Sequence, residues 1–252
     1  MPVRDEVNAL EPLLLELDAA LGGLPLALEW VFVDDASRDG SLERLRELSQ
    51  KDARLRVLAL DAHAGQSAAL DAGFRAACSD AVATLDADGQ NDPADLPRLL
   101  AGLADADCVN GVRRRRRDGP FRRLASGVAN ATRRRVLGDA VSDIGCSLRV
   151  MRSRHLRRVK LFRGLHRFLP VLLELEGARL AEVPVAHRAR RFGRSKYGIW
   201  DRAPEALADL LAVAWMRRRA LRTRVREVGA GGSPGAVRPG PPAARPGRPQ
   251  AG

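Results

Sequence analysis

Two short acidic segments hold the residues of this 252-residue chain best suited to chemistry: Asp34-Asp35 and Asp86-Ala87-Asp88, each directly after a β-prone run. Carboxylates at positions i and i+2 of an extended segment point to the same side. Asp86 and Asp88 can therefore share one hard cation, directly or through water. Oxygen-only ligation selects magnesium or manganese over zinc. An ion there would bridge a diphosphate and neutralise charge developing on a departing phosphate. Taken alone, such a triplet is a common solvated turn, so its meaning depends on its surroundings.

Those surroundings are built from recognisable elements. Leu10, Leu13, Leu14, Leu17 and Leu21 recur with helical period and predict an amphipathic helix from near Asp5 to Gly22-Gly23. Residues 28–33 (LEWVFV) predict a strand that stops at the turn 34–40, and Ser41 is placed to cap a helix carrying Leu42, Leu45 and Leu48. Strands are predicted at 55–60 and 81–85, with a helix at 66–77 between them. Another helix opens at Asp92-Pro93, with Asp92 as N-cap and Pro93 in the first turn. Strands alternating with helices imply βαβ units and a parallel sheet, an α/β fold. Both acidic segments then lie at the carboxyl ends of strands, where such sheets bind ligands. Beyond Arg113 the pattern weakens into a basic loop, a helix at 126–137, a turn at 143–146, a helix at 166–176, an alternating strand at 179–187 and a helix at 201–219.

The net charge of +12 suits phosphate-bearing ligands or an anionic membrane surface. Nucleic acid is not the expected partner: an aromatic content of 4% leaves little to stack on bases, and no nucleic-acid-binding motif is present. The chain has no GxxxxGK[ST] pattern, so no P-loop is expected. Cys78, Cys108 and Cys146 are odd in number and widely spaced, which indicates neither a disulfide framework nor a zinc site and fits a reducing cytoplasm. His63, His155, His166 and His187 lack metal-ligand spacing and receive no role. No apolar run approaches the roughly 20 residues of a spanning helix, so the chain is expected to lie on a membrane at most and not to cross one. Residues 1–200 read as one domain. Residues 201–219 read as a helix that either packs on the core or lies in a membrane interface. Residues 220–252 form an Arg/Gly/Pro-rich tail too poor in apolar residues to order.

In chain order, VFVDDASRDGS, AGQSAALDAGF, TLDADGQNDP, GVR, DIGCSLRVMR, LHRFLP and EVPVAHRARRFGRSKYG resemble the inverting family-two glycosyltransferases, in particular their polyprenyl-phosphate (dolichyl-phosphate mannose synthase-like) branch. The likeness runs from Met1 to about Met216. It implies a GT-A fold, a Rossmann-like and mostly parallel sheet flanked by helices. It also implies metal-dependent inverting transfer of a hexose from a GDP- or UDP-linked donor to a polyprenyl phosphate. Position by position, Pro2, Glu6, Val33 and Asp35 would surround the nucleoside. Asp86, Ala87, Asp88 and Gln90 would form the metal and diphosphate site, with Mg2+ or Mn2+ as the ion. Arg113 and Arg122, with Ser126, match phosphate-contacting positions. Arg191, Ser195 and Lys196 match a late basic loop that closes over the donor diphosphate and the lipid phosphate. Guanidinium forks suit that task because they bind phosphate oxygens in pairs.

A lipid phosphate is already an anionic nucleophile at neutral pH, so such a site needs cations to hold it more than a base to activate it. A glycan hydroxyl acceptor would need a carboxylate instead, and Asp143, on the acceptor side, is the candidate. The resemblance also implies a first strand reduced to a stub, because the family places a full apolar strand ahead of the segment that here begins at Met1-Pro2. The expectation is a longer native polypeptide; the alternative is a truncated pseudoenzyme. Arg4 stands where the family commonly has an aromatic residue.

Overall fold

The computed structural model describes residues 1–113, 120–189 and 203–221, with the starts of the helices at 120–137 and 203–219 given as backbone only. The leucine repeat closes into α1 (Val7–Leu21), which buries Leu10, Leu13, Leu17 and Leu21. Each buried leucine contributes about 1.5–3 kcal/mol relative to exposure. The helix starts two residues after Asp5, which takes a positive φ of 49° and turns the chain into it.

Three parallel strands form one sheet in the order β1-β2-β3: β1 (Pro2–Val3), β2 (Trp30–Asp34) and β3 (Leu55–Ala59). β1 is the expected stub, paired through Pro2 with Val33 and Val3 with Asp34. α2 (Ser41–Lys51) and α3 (Gln66–Ala76) connect these strands onward. Ser41 is not the cap of α2, as its residue type had suggested. Gly40, at φ 88°, takes that position, and the Ser41 hydroxyl accepts from the Glu6 amide and donates to Asp39.

A second sheet has the order β4-β6-β5-β7, from β4 (Ala81–Thr84), β5 (Cys108–Arg113), β6 (Arg149–Arg152) and β7 (Leu180–Val185). β5 and β7 are parallel, while β6 runs antiparallel to both of its neighbours. The alternating pattern had not revealed β5 or β6. Gly111 explains part of the fit between them: a Cβ there would lie 2.8 Å from the Leu148 carbonyl oxygen, so only glycine lets the strands approach. The Asp92-Pro93 start is as expected, a 3-10 turn with Asp92 accepting from the Ala94 amide, followed by α4 (Leu96–Ala101).

Helices α5 (Pro120–Leu137), α6 (Ser153–Leu156), α7 (Leu169–Leu175) and α8 (Ala203–Arg219) complete the described chain. α8 buries Leu210, Val213 and Ala214 in a cluster with Leu137, Val141, Phe168 and Val171. Its other side carries Leu207, Leu211 and Trp215, exposed at 56%, 59% and 63%. Among the described residues, no helix is long and apolar enough to cross a membrane. The tail from residue 222 lies outside the described residues.

Candidate active site

Strand β4 ends at Thr84, and the chain turns through Ala87 and Asp88 with Gly89 at φ 71°. The backbone at the acidic triplet is therefore a turn rather than the extended segment assumed from spacing. Asn91 builds this turn. Its Oδ1 accepts from the Asp86 amide (3.1 Å) and from the Ser147 hydroxyl (2.9 Å), tying the turn to the segment before β6. Asp88 is buried, and its Oδ1 accepts from the Gln90 amide at 3.0 Å. The Gln90 carbonyl accepts from the Arg188 amide at 2.9 Å.

Asp86 faces a cleft of about 230 Å³ whose walls include Pro2, Gln66, Gly145, Arg149, His166 and Arg167. Gln66 Nε2 donates to Asp86 Oδ1 at 2.8 Å, so the first turn of α3 positions the carboxylate. Arg149, exposed by only 4%, donates to Asn110 Oδ1 and to the carbonyls of His166 and Ile144. Burial pulls this guanidinium's pKa below its ordinary value. His166 bonds through Nδ1 to the Ser67 hydroxyl at 2.7 Å. Asn91, Gln66, Ser147, Arg149 and His166 were not singled out as site builders from sequence. All five lie inside segments that carry the family resemblance, and that placement could have pointed to them.

Arg113, at the end of β5, is held by Asp143: Nε and Nη2 donate to the two carboxylate oxygens at 2.7 and 2.8 Å. Asn110 joins this pair to Arg149, donating to the Asp143 carbonyl and accepting from the Arg149 Nε. The charged pair and the cleft are thus one network.

The residues expected around the nucleoside gather at the carboxyl end of β2. Val33 is buried and donates its amide to the Met1 carbonyl. Asp35 accepts from the amides of Ala64 and Gly65 and contacts His63 Nδ1 at 2.7 Å, so it folds the loop before α3 against β2. Arg4 lies 3.9 Å from the same carboxylate. Glu6 precedes α1, its amide bonded to Ser41. Pro2 bridges this group to the Asp86 cleft. Arg122 and Ser126 fall on α5, where their side chains lie outside the described residues, as do Arg191, Ser195 and Lys196 entirely.

The donor set fits a hard divalent ion only in part. Among the described residues, no group of three or more His, Cys, Asp or Glu side chains is arranged to hold a metal. Two carboxylates and an amide oxygen suit magnesium or manganese, which characteristically complete their coordination with water and substrate phosphates.

Comparison with known proteins bears on the whole arrangement. Residues 1–160 match the family described as "Glycosyl transferase family 2". The "Dodecaprenyl-phosphate galacturonate synthase" of Rhizobium johnstonii is 36% identical over 224 residues, covering 86% of this chain and 66% of that protein. The "Undecaprenyl-phosphate 4-deoxy-4-formamido-L-arabinose transferase" of Edwardsiella ictaluri is 38% identical over 201 residues, covering 79% of this chain and 62% of that protein. The chain thus spans no more than 66% of the length of either relative. A solved structure of glucosyl-3-phosphoglycerate synthase from Mycobacterium tuberculosis, with Mn2+ and UDP-glucose, matches with a TM-score of 0.65 at 18% identity. That match covers 90% of this chain and 81% of the other, and it bears out the GT-A-like fold.

Proposed function

The chain belongs to glycosyl transferase family 2, and on that premise we propose that it transfers a sugar from a nucleotide-diphosphate donor to a polyprenyl phosphate, with inversion at the anomeric carbon. One observation carries the reading. At the carboxyl end of β4, the Asp86 carboxylate meets a wall containing Arg149 and Arg167, and that wall is bonded through Asn110 to the Arg113–Asp143 pair. Carboxylates for an ion and guanidiniums for phosphates are the two charge types this reaction needs. The named relatives act on polyprenyl phosphates and supply the acceptor class.

Asp86, Asp88 and Gln90 would hold Mg2+ or Mn2+. The ion would supply Lewis-acid neutralisation of the leaving diphosphate. Pro2, Glu6, Val33, Asp35 and Ala87 flank the nucleoside and diphosphate. Arg113, with Arg122, Ser126, Arg191, Ser195 and Lys196, serves the phosphates. An oxygen of the acceptor phosphate forms the new bond to the anomeric carbon. The bond from that carbon to the nucleotide's terminal phosphate oxygen breaks, and the nucleoside diphosphate leaves. The acceptor oxygen is anionic beforehand, so no side chain has to remove its proton. Asp143 supports this choice over a hydroxyl acceptor, because both of its carboxylate oxygens already receive hydrogen bonds from Arg113.

A hexose is the proposed sugar, and GDP or UDP the proposed leaving group. Residues 1–200 act as the transferase domain, and α8 rests on the inner face of the membrane. The exposed stripe Leu207, Leu211 and Trp215 leads into Arg218 and Arg219, apolar matter for the interface and cations for anionic headgroups. Calorimetric titration with GDP and with UDP, each with and without manganese, tests the donor site. The reading expects one nucleotide to bind in a manganese-dependent way and Asp88→Asn to abolish that binding; no binding of either nucleotide contradicts it.

A further inference from the structure

Asp35 is the carboxylate expected beside the nucleoside, yet the loop after β3 has already filled it. Its Oδ1 accepts from the Ala64 amide at 2.7 Å and from the Gly65 amide at 3.2 Å. Its Oδ2 accepts from the Gly65 amide at 3.0 Å and meets His63 Nδ1 at 2.7 Å. Arg4 Nη1 stands 3.9 Å from the same oxygen. An ionised carboxylate offers about four lone-pair directions, and this side chain is only 6% exposed. A donor group on the base therefore reaches Asp35 only by displacing His63.

His63 is the opposite case. Its side chain is 43% exposed, and among the described residues Asp35 is its one hydrogen-bond partner. That bond decides which edge the ring presents. Ionised Asp35 can only accept, so the ring proton sits on Nδ1, and in the neutral imidazole Nε2 carries a lone pair. Asp35 is itself fixed by two backbone amides, and its own amide donates to the Val3 carbonyl, so segment 2–6 and the loop 61–65 meet at this one carboxylate. The acceptor is moved outward from Asp35 to His63 Nε2.

We propose that His63 reads the nucleobase of the donor: its Nε2 accepts the ring N–H of uracil or guanine, and Asp35 is the residue that sets its tautomer. This rests on the donor site described above and extends it by naming the contact that selects the base. Cytosine and adenine carry a lone pair at the corresponding ring nitrogen. They set lone pair against lone pair and are rejected.

Calorimetric titration in the presence of manganese tests this with UDP, GDP, CDP and ADP. The wild-type chain is compared with His63→Phe, which keeps a ring without an acceptor, and with His63→Gln, whose amide oxygen can accept. The wild-type chain is expected to bind UDP or GDP at least about tenfold more tightly than CDP and ADP. His63→Phe should weaken that preferred nucleotide by roughly five- to tenfold, the contribution of one hydrogen bond, and leave CDP and ADP as they were. His63→Gln should restore most of the loss. An equal loss for all four nucleotides in both variants would make His63 a brace for its loop and overturn the proposal, as would undiminished discrimination in His63→Phe. In either case the donor site itself stands. Absence of binding by every nucleotide overturns the donor site and this proposal together.

Discussion

The Arg113 guanidinium and the Asp143 carboxylate meet in a two-pronged contact at 2.7 and 2.8 Å, with the Arg113 amide 3.3 Å from the same carboxylate. Asp143 is therefore a positioning residue. It fixes the direction in which a cation at the end of β5 presents itself. A paired charge in a mostly buried setting is held far more firmly than one on a solvated loop.

Replacing Asp143 with alanine should release that grip. Hydrogen bonds to charged groups contribute about 1.5–3 kcal/mol, so the KM for the lipid phosphate should rise by roughly 10- to 100-fold with a smaller change in kcat. Steady-state kinetics with varied acceptor separates the two parameters. A pure loss of kcat with unchanged KM would instead assign Asp143 the role of a base.

Asn91→Ala removes the single acceptor shared by the Asp86 amide and the Ser147 hydroxyl. Two half-buried donors then lose their partner, at a cost of up to about 1–3 kcal/mol each. Thermal unfolding should show the lowered stability. Manganese-dependent nucleotide binding should weaken in the same variant, because the turn carrying Asp88 is no longer held.

Trp215→Glu with Leu211→Glu should abolish co-sedimentation with vesicles containing anionic lipid while leaving the thermal midpoint nearly unchanged. Both side chains lie on the exposed face of α8 rather than in its buried cluster. A matching loss of folding stability would mean that this face packs within the protein.

Much of this architecture was legible in advance. The leucine period of α1, the β-prone run of β2, and the Asp92-Pro93 helix start each follow from local chemistry that tertiary contacts reinforce. β6 was not legible, because it is four residues long and begins with Arg149, whose burial is made tolerable by Asn110 and the carbonyls of Ile144 and His166. The same holds within the site. Asp86 stood out by its spacing, but Gln66, which holds it, is 20 residues away in sequence. The extended geometry assumed for Asp86 and Asp88 gave way to a turn, since Asn91 and Gly89 bend the chain there.

The measurement that goes most directly to the central claim is transfer itself. The protein is incubated with labelled nucleotide sugars, manganese and a short polyprenyl phosphate, and the organic phase is then counted. The account predicts label in a solvent-extractable, acid-labile lipid, formed with the wild-type chain and lost with Asp88→Asn. Label that remains wholly in water, when nucleotide and manganese bind normally, would contradict it.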